Sequence, residues 1–272
     1  AIFFISVVYT ICKSFTKDLH AIQLVWGYFV GINLILWIFF FLKGEKLSKL
    51  RATDRPFLQI IRPAFLVCSI SSLFVGLTYL PIAEATAIGF VAPLFITALS
   101  VPILKETVDI HRWSAVVIGL IGVIIIVRPG SEFWHYASIM PLLGALFFAL
   151  FQIMTRLLSA TENTYTTLFY TGLGGLGWSS LMVPFVWVVP FKIHILVFFA
   201  TGVMGAMAHL CMISAFDRAE ASLLAPYNYT KLLWVAVLGY LIFGDIPSLD
   251  MWIGAVIIVS AGFYVLYREK KT

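Results

Sequence analysis

The chain makes one statement twice. Ala83-Glu84-Ala85-Thr86 opens an apolar stretch, and Ala219-Glu220-Ala221-Ser222 opens another 136 positions later. Each is followed by a proline (Pro93, Pro226), then by an acidic end (Lys105-Glu106, Gly244-Asp245). Seven residues past each end a tryptophan, Trp113 or Trp252, heads a last apolar run. Lys13 and Arg156 stand at matching places earlier in the two stretches, 143 apart. Two like apolar halves, here 1–130 and 131–272, are the pattern of carriers that hold a solute where the halves meet.

The solvent of this chain is lipid. A soluble domain carries about a quarter charged residues, whereas here 61% of residues are hydrophobic, 11% are charged and the mean hydropathy is +1.01. A helix crossing a hydrocarbon core of ~30 Å needs ~20 apolar residues. The runs divide into ten spans, at roughly 1–16, 21–42, 63–80, 83–104, 113–128, 137–158, 164–189, 195–216, 221–243 and 251–267. They are long and continuous, without the alternation of a barrel strand. The expected architecture is an all-α integral membrane protein: ten transmembrane helices, as two inverted-topology five-helix repeats around a central cavity.

The net charge of +5 and isoelectric point near 9.1 would suit a nucleic-acid binder, but the cations lie in the short gaps between spans. There they act as topology signals, and no nucleic-acid partner is expected. One side collects Lys43, Lys46, Lys49, Arg51, Arg55, Arg62, Lys105, Arg112, Arg156, Arg218, Arg268, Lys270 and Lys271. The other collects Lys17, Arg128 and Lys192. This imbalance places both termini in the cytoplasm, and five spans per half inverts the second half. Cys12, Cys68 and Cys211 are isolated in apolar runs, so neither a disulfide nor a metal site is expected. No cofactor is expected.

The joint pattern Ala-Glu-Ala-Thr-Ala…Pro93…Leu104-Lys105-Glu106…Arg112-Trp113…Gly119…Gly122…Arg128-Pro129-Gly130, with its echo from Ala219 to Gly254, resembles the drug/metabolite transporter superfamily, EamA type. The resemblance covers nearly the whole chain. It implies a multi-pass carrier of the bacterial inner membrane, with spans one to four and six to nine around a cavity. Within it, the aromatic content is most similar to exporters of aromatic amino acids of the YddG kind. The implied function is export of aromatic or other apolar amino acids by alternating access; other solutes (drugs, sugars, nucleotide-linked metabolites) are the alternative. Glu106 and Asp245 stand at span ends, where they cap or pin a turn rather than meet a solute.

Polar groups inside a bilayer cost ~2.5 kcal/mol or more for a charge at a helix centre, and they face a bundle interior or cavity. In span nine, Leu224, Tyr227, Asn228, Lys231 and Trp234 follow helical spacing. Lys231 lies too deep to snorkel; it pairs with a solute carboxylate or is satisfied structurally, and both readings stay open. In span eight, Gly202, Gly205 and His209 share a face, and His209 is either a solute contact or a satisfied interior histidine. Span four offers Thr86, Gly89, Phe90, Pro93 and Thr97; span three Ser69, Ser72, Gly76 and Tyr79; span six Phe148, Gln152 and Arg156; span one Tyr9 and Lys13. The candidate solute-binding set is Tyr79, Phe90, Gln152, His209, Tyr227, Asn228, Lys231 and Trp234. The Gly172, Gly174, Gly175, Gly177 cluster marks close packing or a bend. Pro93 and Pro226 are placed to break their helices.

An intramembrane enzyme would need paired carboxylates, a nucleophile set or metal ligands, and a pump a phosphate-cradling Gly-Lys-Ser/Thr motif; the spans offer neither. A retinal-type receptor is prompted by Lys231 and opposed by the duplication. Glu84 and Glu220 stand where a helix N-terminus favours acids. Proton coupling and oligomeric state are not written in these residues.

Overall fold

The structure is a computed structural model. It describes residues 1–44, 47–80, 82–127, 137, 139–224, 227–228, 230–244, 249, 252–254, 256–257, 260–261, 264 and 267. Its helices are α1 (Ile2–Ser14), α2 (Ala21–Lys43), α3 (Leu47–Arg51), α4 (Pro56–Tyr79), α5 (Ile82–Gly89), α6 (Ala92–Leu99), α7 (Ile110–Val127), α8 (Ile139–Ser159), α9 (Thr164–Met182), α10 (Lys192–Phe216), α11 (Ala221–Leu224) and α12 (Thr230–Phe243). No strand occurs among the described residues. Four helices, α2, α4, α8 and α10, are long and apolar enough to cross a bilayer by themselves.

Local chemistry sets the ends. The His20 side chain accepts from Ile22 N–H to start α2, and Gly44 closes it at φ +64°, where only glycine sits without strain. Asn163 starts α9 by accepting from Tyr165 N–H at 2.8 Å. Pro56 opens α4, where a missing N–H costs nothing. Inside the helices, hydroxyls bond back to carbonyls four residues earlier: Thr10 to Ser6, Thr155 to Phe151, Thr171 to Thr167, Thr201 to Val197. Each polar group is thereby satisfied within its own segment, as lipid requires.

Two expected spans are broken. α5 ends at Gly89 and α6 starts at Ala92, because Pro93 lacks an N–H and its ring would strike the Gly89 carbonyl. α6 then closes through a π-helical turn, Ser100–Leu104. The later pair is α11 and α12, separated by a gap holding Tyr227 and Asn228; Thr230 Oγ1 donates to the Tyr227 carbonyl at 2.8 Å. Pro226, Asp245, Trp134, Arg128 and the side chain of Glu84 lie outside the described residues. The glycine cluster resolves as close packing without a bend. α9 runs unbroken, a Cβ on Gly174 would meet Pro63 at 2.7 Å, and one on Gly175 would meet Phe29 at 2.2 Å.

The helix pairings have definite directions. α4 and α8 run antiparallel, with Ser69 Oγ donating to the Gly144 carbonyl and Arg62 reaching Thr155. α1 and α10 run antiparallel too, from Phe15 against His194 to Tyr9 beside His209. α4 and α9 are parallel, Gln59 meeting Thr167 and Pro63 meeting Gly174. So are α2 and α10, Gly27 meeting Phe198 and Gly31 meeting Gly202. α2 and α9 are antiparallel through Asn33–Gly172 and Trp26–Ser180. The core between them holds Phe29, Phe74, Phe151 and Phe216, all fully buried. The outer surface is apolar as well, with Phe41, Phe185, Val189 and Phe191 exposed, as suits contact with lipid.

Candidate functional site

Two small neighbouring spaces lie at the centre of the bundle. The first, about 50 Å³, is lined by Ile2 and Ile5 of α1, Thr86, Gly89 and Phe90, Ala92 and Pro93 of α6, Phe148 of α8, Asn228 and Lys231. The second, about 20 Å³, is lined by Ile5, Val8 and Tyr9 of α1, Tyr28 of α2, Leu66, Ile70 and Phe74 of α4, Phe148 and His209 of α10. Ile5 and Phe148 wall both. The Lys231 ammonium stands 4.0 Å over the Tyr9 ring and bridges them. Together they form one chamber with an ammonium at one end and an imidazole at the other. Pockets that take organic solutes measure about 300–1,000 Å³, so this chamber must widen to admit one.

The lining follows from the breaks. The α5–α6 interruption turns Phe90 inward, where it is buried. The gap before α12 brings Asn228 beside Lys231. Among the described residues no carboxylate pairs with Lys231, and its neighbour is an aromatic face, a cation–π contact worth about 2 kcal/mol or more when desolvated. Opposite, Tyr28 Oη lies 2.9 Å from His209 Nε2. Which of the two donates is set by the imidazole tautomer.

Of the expected set, Phe90, His209, Asn228 and Lys231 line the chamber. Gln152 is buried on α8 one turn beyond Phe148. Tyr79 stands apart, 61% exposed at the end of α4. The α4 face towards the chamber carries Leu66, Ile70 and Phe74, and Tyr79 is five residues on, off that face. Trp234 and Tyr227 are also partly exposed, and Trp234 packs edge-on to Phe3 at 4.9 Å. Trp234 lies one turn past Lys231 on the same helix, α12, and is turned to Phe3 of α1 rather than to the chamber. Tyr28, and Tyr9 as a chamber wall, were not in that set. The signal for Tyr28 is its place between Gly27 and Gly31, which mark the close approach of α10.

Arg62 departs furthest from expectation. It was counted among the cations of a polar loop, yet it lies inside α4 and is fully buried. The helix begins at Pro56 rather than Pro63, which carries Arg62 under α8 and α9. Its guanidinium donates to Thr155 Oγ1 at 3.0 Å, the Thr167 carbonyl at 2.8 Å and Thr171 Oγ1 at 2.5 Å, and lies 5.1 Å from the Phe151 ring centroid.

One face of the bundle is latched by the ends of the two repeated motifs. Glu106 Oε1 accepts from Ala221 N–H at 3.1 Å and stands 3.8 Å from Arg156 Nε. Arg112 NH1 meets Glu220 Oε2 at 2.7 Å. Arg156 also donates to the Phe216 carbonyl. Glu106 thus pins the start of α11, the role expected of it, and the latch holds the segment that leads to Asn228 and Lys231. The Arg112–Glu220 pair is partly exposed, so about 0.5–1 kcal/mol is its scale. Arg112→Glu is expected to lower the thermal midpoint in detergent by a few degrees, and adding Glu220→Arg to recover more than half; a double variant no better than the worse single one would show that the pair does not couple.

A family model described as EamA-like transporter family matches residues 1–128 and 135–267. The S-adenosylmethionine uptake transporter of Rickettsia felis is 30% identical over 259 residues, covering 95% of this chain and 87% of that protein. The riboflavin transporter of Vibrio cholerae is 31% identical over 217 residues, covering 79% and 73%. A solved crystal structure matches with a TM-score of 0.78 at 18% identity, covering 97% of this chain and 95% of that one, a likeness of fold.

Proposed function

We propose that this chain, which belongs to the EamA-like transporter family, carries an organic solute with a flat heteroaromatic ring and a charged polar end, S-adenosylmethionine being the first candidate. It is a membrane transporter and not an enzyme. The observation that carries the solute reading is the chamber lining: the rings of Tyr9, Tyr28, Phe90 and Phe148 enclose a space that has the Lys231 ammonium at one end. Aromatic faces hold a purine by stacking and a sulfonium through their quadrupoles. The ammonium, with Asn228, holds a carboxylate. Relatives named for S-adenosylmethionine and riboflavin share this ring-plus-polar-tail chemistry. They favour such solutes over the export of aromatic amino acids, and uptake is the direction the first of them is named for.

The carrier reading extends to architecture: ten spans in two inverted halves, 1–130 and 131–272. Its support is the symmetry of the pairings. Exchanging the halves turns the antiparallel pair α4–α8 into α10–α1 and the parallel pair α4–α9 into α10–α2, and leaves α2–α9 paired with itself. The face holding Lys43, Arg51, Arg156 and Arg218 is then cytoplasmic, with both termini. Accessibility labelling should place Lys43 and Lys192 on opposite sides; finding them on one side overturns the inversion.

The functional test is uptake by proteoliposomes. Radiolabelled S-adenosylmethionine is expected to enter saturably, at least tenfold above protein-free vesicles, with tryptophan a poor competitor. Competition by tryptophan at equal or lower concentration would return the reading to amino acids, and riboflavin entering in preference would move it to flavins. Repeating the assay with and without a pH gradient reads the coupling.

A further inference from the structure

Among the described residues, the buried polar side-chain atoms left without a hydrogen-bond partner include two obligate donors, Arg62 Nε and Gln152 Nε2. The others are His209 Nδ1, Ser71 Oγ, Thr97 Oγ1 and Gln59 Oε1, an obligate acceptor. Two of the three nitrogens belong to residues packed on the Phe151 ring, and the third to its neighbour in sequence. Arg62 lies over its ring, His209 meets it at 6.0 Å between centroids, and Gln152 follows it on α8. His209 Nδ1 is a donor in the tautomer in which Tyr28 donates to Nε2.

Among the described residues Arg62 has no carboxylate partner. Its acceptors are two hydroxyls and a carbonyl, all neutral, and both hydroxyls spend their own protons on carbonyls four residues back. An uncompensated buried charge costs several kcal/mol, and a missing partner costs more than a present one contributes. A cation fixed among surplus donors is complementary to an anion.

We infer that a small monovalent anion, chloride, binds in the seam between α4, α8 and α9, held by the Arg62 guanidinium and the Gln152 amide. Phe148, a wall of the chamber, stacks on Phe151 at 6.4 Å and 27°, and Phe151 in turn carries Arg62 over its ring. The anion comes from solution, because the solute reading above already assigns the carboxylate to Lys231 and Asn228.

The test follows thermal unfolding of the detergent-purified protein in sodium chloride and sodium gluconate at equal ionic strength. Gln152→Leu keeps Arg62 and the apolar packing; Arg62→Gln is the second variant. A rise of several degrees in chloride over gluconate, with its half-saturating concentration raised tenfold or more in Gln152→Leu and no response in Arg62→Gln, supports the site with a free anion. Equal responses in wild type and Gln152→Leu, or none to chloride, overturn it and leave Arg62 a structural tie. A protein that answers chloride yet imports no S-adenosylmethionine keeps the anion site and loses the solute reading.

Discussion

Lys231→Met is expected to cut solute uptake by about a hundredfold or more while leaving the protein inserted and folded. Methionine matches the apolar reach of lysine and removes only the ammonium. Losing one partner of a desolvated charge pair costs about 2–5 kcal/mol, and every ~1.4 kcal/mol is tenfold. The variant should unfold no earlier than wild type, because an unpaired ammonium is itself a burden in a low-dielectric interior. Its contact with Tyr9 is recoverable in part, since the thioether also packs on aromatic rings. This separates the two readings the sequence left open. A structural lysine predicts a lower midpoint with uptake scaling to folded protein; a solute-binding lysine predicts the reverse. Uptake within threefold of wild type, per folded molecule, would remove Lys231 from the site.

What was legible in the sequence follows from what each signal measures. Hydropathy finds a span because lipid contact depends on composition over some 20 residues. So α1, α2, α8 and α10 fall within a few residues of their expected ends. Glu106 was legible as a pin because an acid at a span end has few alternatives, and its bond to Ala221 N–H is such a role. Facing is harder. Helical spacing assumes an unbroken helix, and the interruptions at Phe90–Val91 and before Thr230 reset it. Asn228 and Lys231 reach the chamber from either side of the second interruption, while Trp234, one turn past Lys231 on the same helix, packs on Phe3 of α1 instead. Arg62 was misplaced for a related reason. Its charge, and Pro63 after it, suggested that the span began there. Pro56 is the proline at a helix start, and Phe57, Leu58, Ile60 and Ile61 supply the apolar turn that precedes Arg62. The solute was not legible from residue types, because stacking rings and one ammonium suit many polar-tailed aromatics.

Gly202→Leu is expected to abolish the folded carrier. A Cβ on Gly202 would meet the Gly31 carbonyl carbon at 2.2 Å, Gly31 Cα at 2.4 Å and Ile32 N at 2.6 Å; one on Gly31 would meet the Phe198 carbonyl oxygen at 2.0 Å. These obstacles are backbone, so no rotamer change relieves them and α2 must move off α10. Such overpacking exceeds the usual 1–3 kcal/mol for a core insertion that side chains can absorb. Small residues are the means by which membrane helices come this close, since lipid supplies no hydrophobic drive between them. The same crossing seats the Tyr28 ring under Gly205, where a Cβ would come within 2.3 Å, and so holds the Tyr28–His209 bond at the end of the chamber. Gly202→Ala should therefore lower the midpoint and weaken solute binding together. Gly177→Ala supplies the contrast. Gly177 lies in the same kind of helix with nothing within 4 Å of its would-be Cβ, and alanine there should stabilise by about 0.5–1 kcal/mol through helix propensity alone. Size-exclusion profiles and thermal midpoints in detergent read all three. A monodisperse Gly202→Leu protein melting within a few degrees of wild type would show that α2 and α10 are not locked at this crossing.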